Sequence, residues 1–573
     1  MKKLMLGNEA VARGLYEAGC RYVSSYPGTP STEITEAAAE YPEIYAEWAP
    51  NEKVAAESAF GAAVEGARSF TGMKHVGLNV ATDLVFTASY TGINGGMIIA
   101  VADDQGMHSS QNEQDSRHYA VSAKMPMLEP CDSGECIDYV KLAYELSEEY
   151  DTPVFLRLST RISHSQSLVE LKDRVEVPVR PYEKNIQKYV MSPANAMRRH
   201  PIVEERTRRL TALANTDKIN KVIPGSKKIG VIAAGIAYDY AKEALGENAS
   251  YLKLGMLYPL PTDLIRDFAA SVEKLYVIEE LDPIIETHVR AMGIACQGKE
   301  LFSLIGEYTV ADIREKLLGV KSASVYAAED VPVRPPVLCP GCPHRGLFYV
   351  LNKLKLSVSG DIGCYTLGSS APLSAMDTTI DMGASISMLH GRIKARPEAA
   401  KTTVAVIGDS TFIHSGLTGL VNITYNNSPA TVIIADNSIT GMTGHQPNPA
   451  TGVTLKDQVT NAVNLEEAVR ACGVRRVRVV DPYETAELEK ILREELAAEE
   501  PSVVITRRPC ALLKTVKRNR PLSIDPDKCR RCRMCMKIGC PAISFEKGYA
   551  AIDSSLCVGC GLCRSLCKFD AIG

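Results

Sequence analysis

From about residue 520 onward the chain carries more cysteine than a core of that size can use, and this constrains it more than any other feature. Of the 17 cysteines in 573 residues, eight lie between Cys529 and Cys567. They read Cys529-x-x-Cys532-x-x-Cys535 followed by Cys540-Pro541, then Cys557-x-x-Cys560-x-x-Cys563-x-x-x-Cys567. So short and thiol-rich a stretch needs inorganic groups in order to fold. Close spacing lets three successive thiolates curl around one cubane, while the remote fourth cysteine ligates the other cluster. On that rule one [4Fe–4S] cluster takes Cys529, Cys532, Cys535 and Cys567, and the other takes Cys557, Cys560, Cys563 and Cys540. Structural zinc is the plain alternative, since it too uses C-x-x-C pairs. A doubled triple-cysteine motif without any histidine argues for iron.

This arrangement resembles the bacterial two-cluster ferredoxin fold, with two departures. One extra residue precedes Cys540, and Lys568 stands where proline usually follows the last cysteine. Such clusters carry electrons and do not select a substrate, so the chemistry must lie upstream.

Upstream, apolar strands alternate with helical patterns, which is the rhythm of α/β domains with parallel sheets. Segments such as Met97–Val101, Ile229–Gly235, Val404–Ile407, Thr431–Ala435 and Ser502–Thr506 read as buried strands. We divide the chain into four: 1–180, a first α/β domain; 181–330, a polar connector and a second α/β unit; 331–515, a third α/β domain; and 516–573, the cluster module. A proline-rich linker at Val331–Pro336 marks the second boundary. The formal net charge of −4 favours neither nucleic acid nor membrane. Without a long apolar h-region at the start, and with cysteines grouped for metal rather than disulfides, a cytoplasmic, reducing location is expected.

The third domain holds a second signal. An apolar strand ends in Gly408-Asp409-Ser410, and 28 residues separate Asp409 from Asn437, at the end of the next apolar strand. One strand–helix–strand unit fills that interval and brings both polar ends to the carboxyl edge of the sheet. A carboxylate and an amide oxygen are hard ligands suited to Mg²⁺, which also accepts diphosphate oxygens. Gly-Asp-Ser alone is equally a turn; the partner asparagine at this spacing tips the balance. The pattern resembles the GDG…N signature of thiamine-diphosphate enzymes, with Ser410 in the third position. That resemblance implies Asp409 and Asn437 as side-chain ligands of Mg²⁺, the Ile439 carbonyl as a third, and Gly408 as the point of close approach to the phosphates.

A thiamine enzyme also needs a carboxylate to hydrogen-bond the aminopyrimidine ring. In the helical run Asn51–Ala67, Glu57 lies among alanines and small residues and is the expected candidate, with Glu52 and Glu65 assigned to more polar surroundings. Any single such glutamate could equally be a solvated helix residue. Tyr26-Pro27-Gly28-Thr29-Pro30, followed by this helix, is similar to the opening domain of 2-oxoacid:ferredoxin oxidoreductases. The resemblance implies Thr29 near the reacting group of the substrate, and the Asp103–Asp115 loop facing it. His108 in that loop is either a polar participant or an ordinary loop histidine. It also implies a third [4Fe–4S] cluster near the thiamine, held by Cys339, Cys342, Cys364 and Cys510. Cys20, Cys131, Cys136, Cys296 and Cys472 are left as structural thiols.

The resemblance spans nearly the whole chain and lies closest to the α subunit of the indolepyruvate branch, most particularly at Cys339–Gly346 and Ser109–Asp115. It implies oxidation of aryl 2-oxoacids to aryl acetyl-CoA with coenzyme A, a separate β subunit carrying the remaining (gamma) domain in an α₂β₂ assembly, and ferredoxin as electron acceptor. Nine Lys or Arg residues between Lys514 and Lys537 would steer an acidic ferredoxin, or simply solvate a linker. Pyruvate or branched-chain oxoacids as substrate, a non-redox thiamine decarboxylase, and a non-catalytic electron-transfer subunit are the competing readings.

Overall fold

Several strands of this chain have no polar face: Met97–Asp103, Val154–Ser159, Thr403–Gly408 and Thr431–Asp436 are buried at every residue. A strand buried on both sides belongs in a parallel sheet covered by helices. The computed structural model has this architecture. It describes residues 2–321, 335–546 and 548–573, and consists of two compact units, Met1–Ala328 and Glu329–Gly573. The first four residues of the expected linker Val331–Pro336 lie outside the described residues.

The first unit is built on a seven-stranded sheet. Its spatial order is Met256–Tyr258, Met127–Leu128, Val154–Ser159, Met97–Asp103, Ser69–Lys74, Tyr22–Ser25 and Tyr45–Trp48. All neighbours are parallel except the first pair. Strand Tyr22–Ser25 is followed in sequence by its neighbour on one side, Tyr45–Trp48, and then by its neighbour on the other, Ser69–Lys74. The chain therefore reverses its direction of travel between Tyr22–Ser25 and Ser69–Lys74, which opens a crevice at their carboxyl ends.

A second sheet in this unit has the order Leu275–Ile278, Gly230–Ala234, Ser250–Leu254, Lys221–Ile223. The segment expected as a separate second domain also contributes Met256–Tyr258 to the first sheet. Within the connector, helix Pro193–Ala214 inserts Arg206 among the carbonyls of Ser89, Lys124 and Asp151. The basic character of this segment thus serves packing as well as solvation.

Buried ion pairs fasten the two sheets of this unit. Arg157 bonds Asp103 at 2.8 Å and Glu129 at 2.7 Å; Arg117 bonds Asp115 at 2.6 Å and Glu279 at 2.5 Å, and also donates to the Glu280 and Asp282 carbonyls. Each arginine meets two carboxylates, so the charge is well compensated. Asp103 and Asp115 are also the two ends of the irregular loop expected to face the substrate.

The second unit has a six-stranded, wholly parallel sheet in the order Thr378–Thr379, Ser357–Gly360, Thr403–Gly408, Thr431–Asp436, Ser502–Arg507, Arg476–Val480. The strand order reverses between Ser357–Gly360 and Thr403–Gly408. The cluster module adds only a hairpin, Ile543–Glu546 with Tyr549–Ile552, and short helical turns around a small apolar core. Among the described residues no helix is long and apolar enough to cross a membrane.

Arg157→Met would strand Asp103 and Glu129 in the interior. Removing one partner of a buried ionic network costs on the order of 3–5 kcal/mol. The urea midpoint of the transition that unfolds the first unit should fall accordingly.

Candidate active site

In the first unit the crevice gathers residues from four segments. Thr29 is half-buried on the loop after Tyr22–Ser25, and its carbonyl accepts the Ser109 hydroxyl at 3.4 Å. Lys74, the last residue of its strand, donates to the Ser109 carbonyl at 3.0 Å. Burial holds the Lys74 ammonium below its ordinary pKa, opposed by the charges of Asp104 and Glu52. Asp104 organises the loop by accepting the Ser109 amide at 2.8 Å, the Ser110 hydroxyl at 2.7 Å and the Thr160 hydroxyl at 2.8 Å. His75 is buried, with Nε2 donating to the Asn112 carbonyl at 3.2 Å. His108 is turned to Glu307 at 2.9 Å, which also binds Arg161.

The two glutamates of this helix differ in their surroundings. Glu57 points to solvent, with its side chain 43% exposed and ion-paired to Lys53 one helical turn away. Glu52 is only 4% exposed, and a methyl group added at Gly77 would lie 2.6 Å from its carboxylate. Helix Glu52–Val64 starts immediately after Asn51, whose side chain caps it by accepting the Val54 amide at 2.8 Å. Five residues along a helix correspond to a rotation of about 140°, so Glu52 and Glu57 cannot face the same way. The alanines beside Glu57 line the other side of the helix. The asparagine cap sets Glu52 in the first helical turn. Lys74 carried no recognisable motif.

In the second unit the two polar strand ends meet as expected. Asp409, Ser410, Asn437 and Ile439 are all buried. The side-chain amide of Asn437 can donate to Asp409 Oδ1 at 3.0 Å and to the Ile439 carbonyl at 2.9 Å. Turned over, the same amide presents its oxygen to the other two. Three oxygens are then spaced as along the edges of a Mg²⁺ octahedron, where bonds of about 2.1 Å give edges of about 3.0 Å. The donor set therefore fits a small hard cation. Burial first, then the charge of Asp436, pushes the Asp409 carboxyl up to about 7, while Asn448 donates to it at 3.2 Å. Gly408 approaches the Tyr365 ring so closely that a Cβ there would lie 2.6 Å from it. The Ser410 hydroxyl accepts that of Thr440 at 2.9 Å.

Thiols stand next to this oxygen set. The Cys510 amide donates to the Asn437 carbonyl at 2.9 Å, and a Cβ at Gly441 would touch both Cys364 Sγ (3.3 Å) and the Asn437 amide (3.4 Å). Burial pushes the Cys342 thiol up to about 12 and Cys364 up to about 11, and neighbouring thiols of the set add to both: Cys364 and Cys339 for Cys342, Cys510 and Cys339 for Cys364. Cys339, Cys342, Cys364 and Cys510 are thus brought together, and as free thiolates they would oppose one another. A cationic iron core removes that opposition.

The C-terminal cysteines line two cavities. One is bordered by Cys529, Cys532, Cys535 and Cys567, the other by Cys540, Cys557, Cys560 and Cys563. Among the described residues no three His, Cys, Asp or Glu side chains close on a single-ion site. The thiols are instead spread around space.

Profiles of known families match three stretches. Residues 13–222 match the thiamine-diphosphate-binding domain of pyruvate flavodoxin/ferredoxin oxidoreductase, 361–506 the C-terminal binding domain of thiamine pyrophosphate enzymes, and 550–573 the 4Fe–4S binding domain. These matches, with the relatives below, define a thiamine-diphosphate- and iron–sulfur-dependent 2-oxoacid:ferredoxin oxidoreductase. The indolepyruvate oxidoreductase subunit IorA of Archaeoglobus fulgidus is 41% identical across 100% of this chain and 97% of its own length. Those of Pyrococcus horikoshii (41%, covering 100% and 96%) and Methanothermobacter marburgensis (40%, covering 99% and 96%) are similar to the same extent. The chain belongs to this IorA family.

A carboxyl raised in the folded state binds its proton more tightly than in the unfolded chain. Metal-free protein should therefore lose stability as pH rises from about 4 through about 7, by roughly 4 kcal/mol at most. Asp409→Asn should raise the melting temperature of the metal-free protein at pH 8 and abolish the further rise that Mg²⁺ with thiamine diphosphate gives the parent chain. Differential scanning fluorimetry reads both effects.

Proposed function

We propose that this chain oxidatively decarboxylates aryl pyruvates, such as indolepyruvate and phenylpyruvate, to aryl acetyl-CoA while reducing ferredoxin. The observation that carries the reading is the adjacency of the Asp409–Asn437–Ile439 oxygen set to the four thiols Cys339, Cys342, Cys364 and Cys510. It puts a diphosphate-anchoring cation site beside an electron-accepting site within one unit. Thiamine diphosphate supplies an electron sink for loss of CO₂ from a 2-oxoacid, and iron–sulfur clusters accept the electrons released.

The residues of this chain then take defined roles. Asp409, Asn437 and the Ile439 carbonyl hold Mg²⁺, with Gly408 and Ser410 alongside the diphosphate. Glu57 is the carboxyl that hydrogen-bonds the aminopyrimidine ring, with Glu52 buried at the start of the same helix. Lys74 brings a positive charge, held in place by the Ser109 carbonyl, to orient the carboxylate of a 2-oxoacid, and Thr29 lies on the same crevice. Cys339, Cys342, Cys364 and Cys510 hold a first cluster. Pro340 and Gly341 border the cavity of Cys540, Cys557, Cys560 and Cys563, which makes that set the second station. The set Cys529, Cys532, Cys535 and Cys567 is the exit. Cys532 is exposed there, and Arg530 and Arg533 border the same cavity.

All nine Lys and Arg residues between Lys514 and Lys537 are exposed, which suits an acidic ferredoxin. A separate β subunit in an α₂β₂ assembly, a coenzyme A site and action in the cytoplasm complete the proposal. The aryl preference rests on the names of the relatives.

The chain, purified anaerobically with its β subunit, should reduce a ferredoxin-type dye with indolepyruvate or phenylpyruvate plus coenzyme A. Activity with pyruvate alone would overturn the aryl assignment. No activity despite bound thiamine and intact clusters would overturn the catalytic reading. Glu57→Gln should lower kcat by about 10²–10⁴-fold, the usual contribution of a positioned proton-transfer group. A Glu57→Gln enzyme within about twofold of the parent would refute this role.

A further inference from the structure

Arg345 is among the largest fully buried side chains of the molecule, at 2% exposure, in the first turn of helix His344–Leu354. Its guanidinium donates to four main-chain carbonyls. Nε reaches Cys339 at 2.9 Å, Nη1 reaches Ile538 at 2.9 Å and Gly539 at 2.5 Å, and Nη2 reaches Leu338. Two of these carbonyls belong to the irregular segment at the start of Cys339-Pro340-Gly341-Cys342, and two immediately precede Cys540.

Carbonyl oxygens solvate a cation without neutralising it, and a buried cation with no counter-charge costs several kcal/mol. The buried arginines of the first unit, Arg117 and Arg157, each have two carboxylates. Among the groups facing Arg345 that can carry negative charge are the thiols of Cys540, Cys342 and Cys339 and the Tyr483 hydroxyl. Tyr483 itself donates to the Gly341 carbonyl at 2.6 Å, bracing the same loop.

A [4Fe–4S] core ligated by four thiolates is an anion, and it gains a further negative charge on reduction. We infer that Arg345 is the shared counter-charge of two clusters, the one held by Cys339, Cys342, Cys364 and Cys510 and the one held by Cys540, Cys557, Cys560 and Cys563, and that its positive charge raises their reduction potentials. This rests on the three-cluster reading above. Arg345 is a positioning residue, since it bonds the loops that bear the ligands. None of the thiols named as facing it belongs to the set Cys529, Cys532, Cys535 and Cys567.

The test is an EPR-monitored redox titration, with iron and sulfide analysis, of the anaerobically purified complex as wild type, R345Q and R345K. Loss of the positive charge disfavours the added electron. In R345Q at least one midpoint should move negative by a tenfold change in the reduction equilibrium or more, about 59 mV for a one-electron couple. One cluster, the exit cluster, should be unmoved, and R345K should retain most of the wild-type potentials. Unshifted potentials in an iron-replete R345Q, or equal shifts in R345Q and R345K, overturn the inference while leaving three clusters in place. If R345Q purifies short of iron, a replete R345K supports the charge role, and an equally deficient R345K overturns it. A wild type with fewer than three clusters sinks the three-cluster reading, and the inference with it.

Discussion

The parallel strand order, and the point at which it reverses, is the constraint on which the rest of this structure depends. A strand in a parallel sheet sends its chain over one face of the sheet. Where consecutive connections leave two neighbouring strands in opposite directions, their carboxyl ends are left uncovered. The first unit has such a point between Tyr22–Ser25 and Ser69–Lys74, and the second between Ser357–Gly360 and Thr403–Gly408. Thr29 and Lys74 emerge at one of them, Asp361, Cys364 and Asp409 at the other. Burial along the strands leaves room only for polar side chains that are paired inside, as Arg157 is, so these ends are where ligand-facing chemistry can be placed.

Charge is handled differently in the two units, and the difference shows where external groups enter. In the first unit buried charges are compensated internally: Arg117 and Arg157 are each met by two carboxylates, and the loop from Asp103 to Asp115 is held at both ends by them. In the second unit Asp409 is buried beside Asp436, four thiols oppose one another, and Arg345 is surrounded by carbonyls. Each of these imbalances is removed by a species of the opposite sign. A divalent cation suits the carboxylate, cationic iron suits the thiols, and the resulting anionic clusters suit the arginine. Three unrelated local peculiarities thus have one electrostatic explanation.

Much of this was legible in the amino-acid order. The apolar runs ending in Gly408-Asp409 and Asp436-Asn437 required adjacent parallel strands, and the strand register pairs Gly408 with Ala435 as that reading demands. The spacing of the last eight cysteines sorted them into the two sets that line the two cavities. The surroundings of Glu57 were less legible, because on a helix the neighbours in sequence face other directions. The alanines beside it are buried, while Glu57 is exposed in this chain.

The sequence by itself determined which elements form and which residues share a strand end or a cysteine motif, because hydrophobic periodicity, caps and ligand spacing act over a few residues. Only the tertiary structure decided which of two nearby glutamates is buried, that Lys74 meets the Ser109 loop, and that Arg345 ties Cys339 to the segment before Cys540. Those outcomes depend on contacts between positions as far apart as Arg345 and Gly539. Contacts at that range are set by how sheets and loops pack, and no local pattern encodes them.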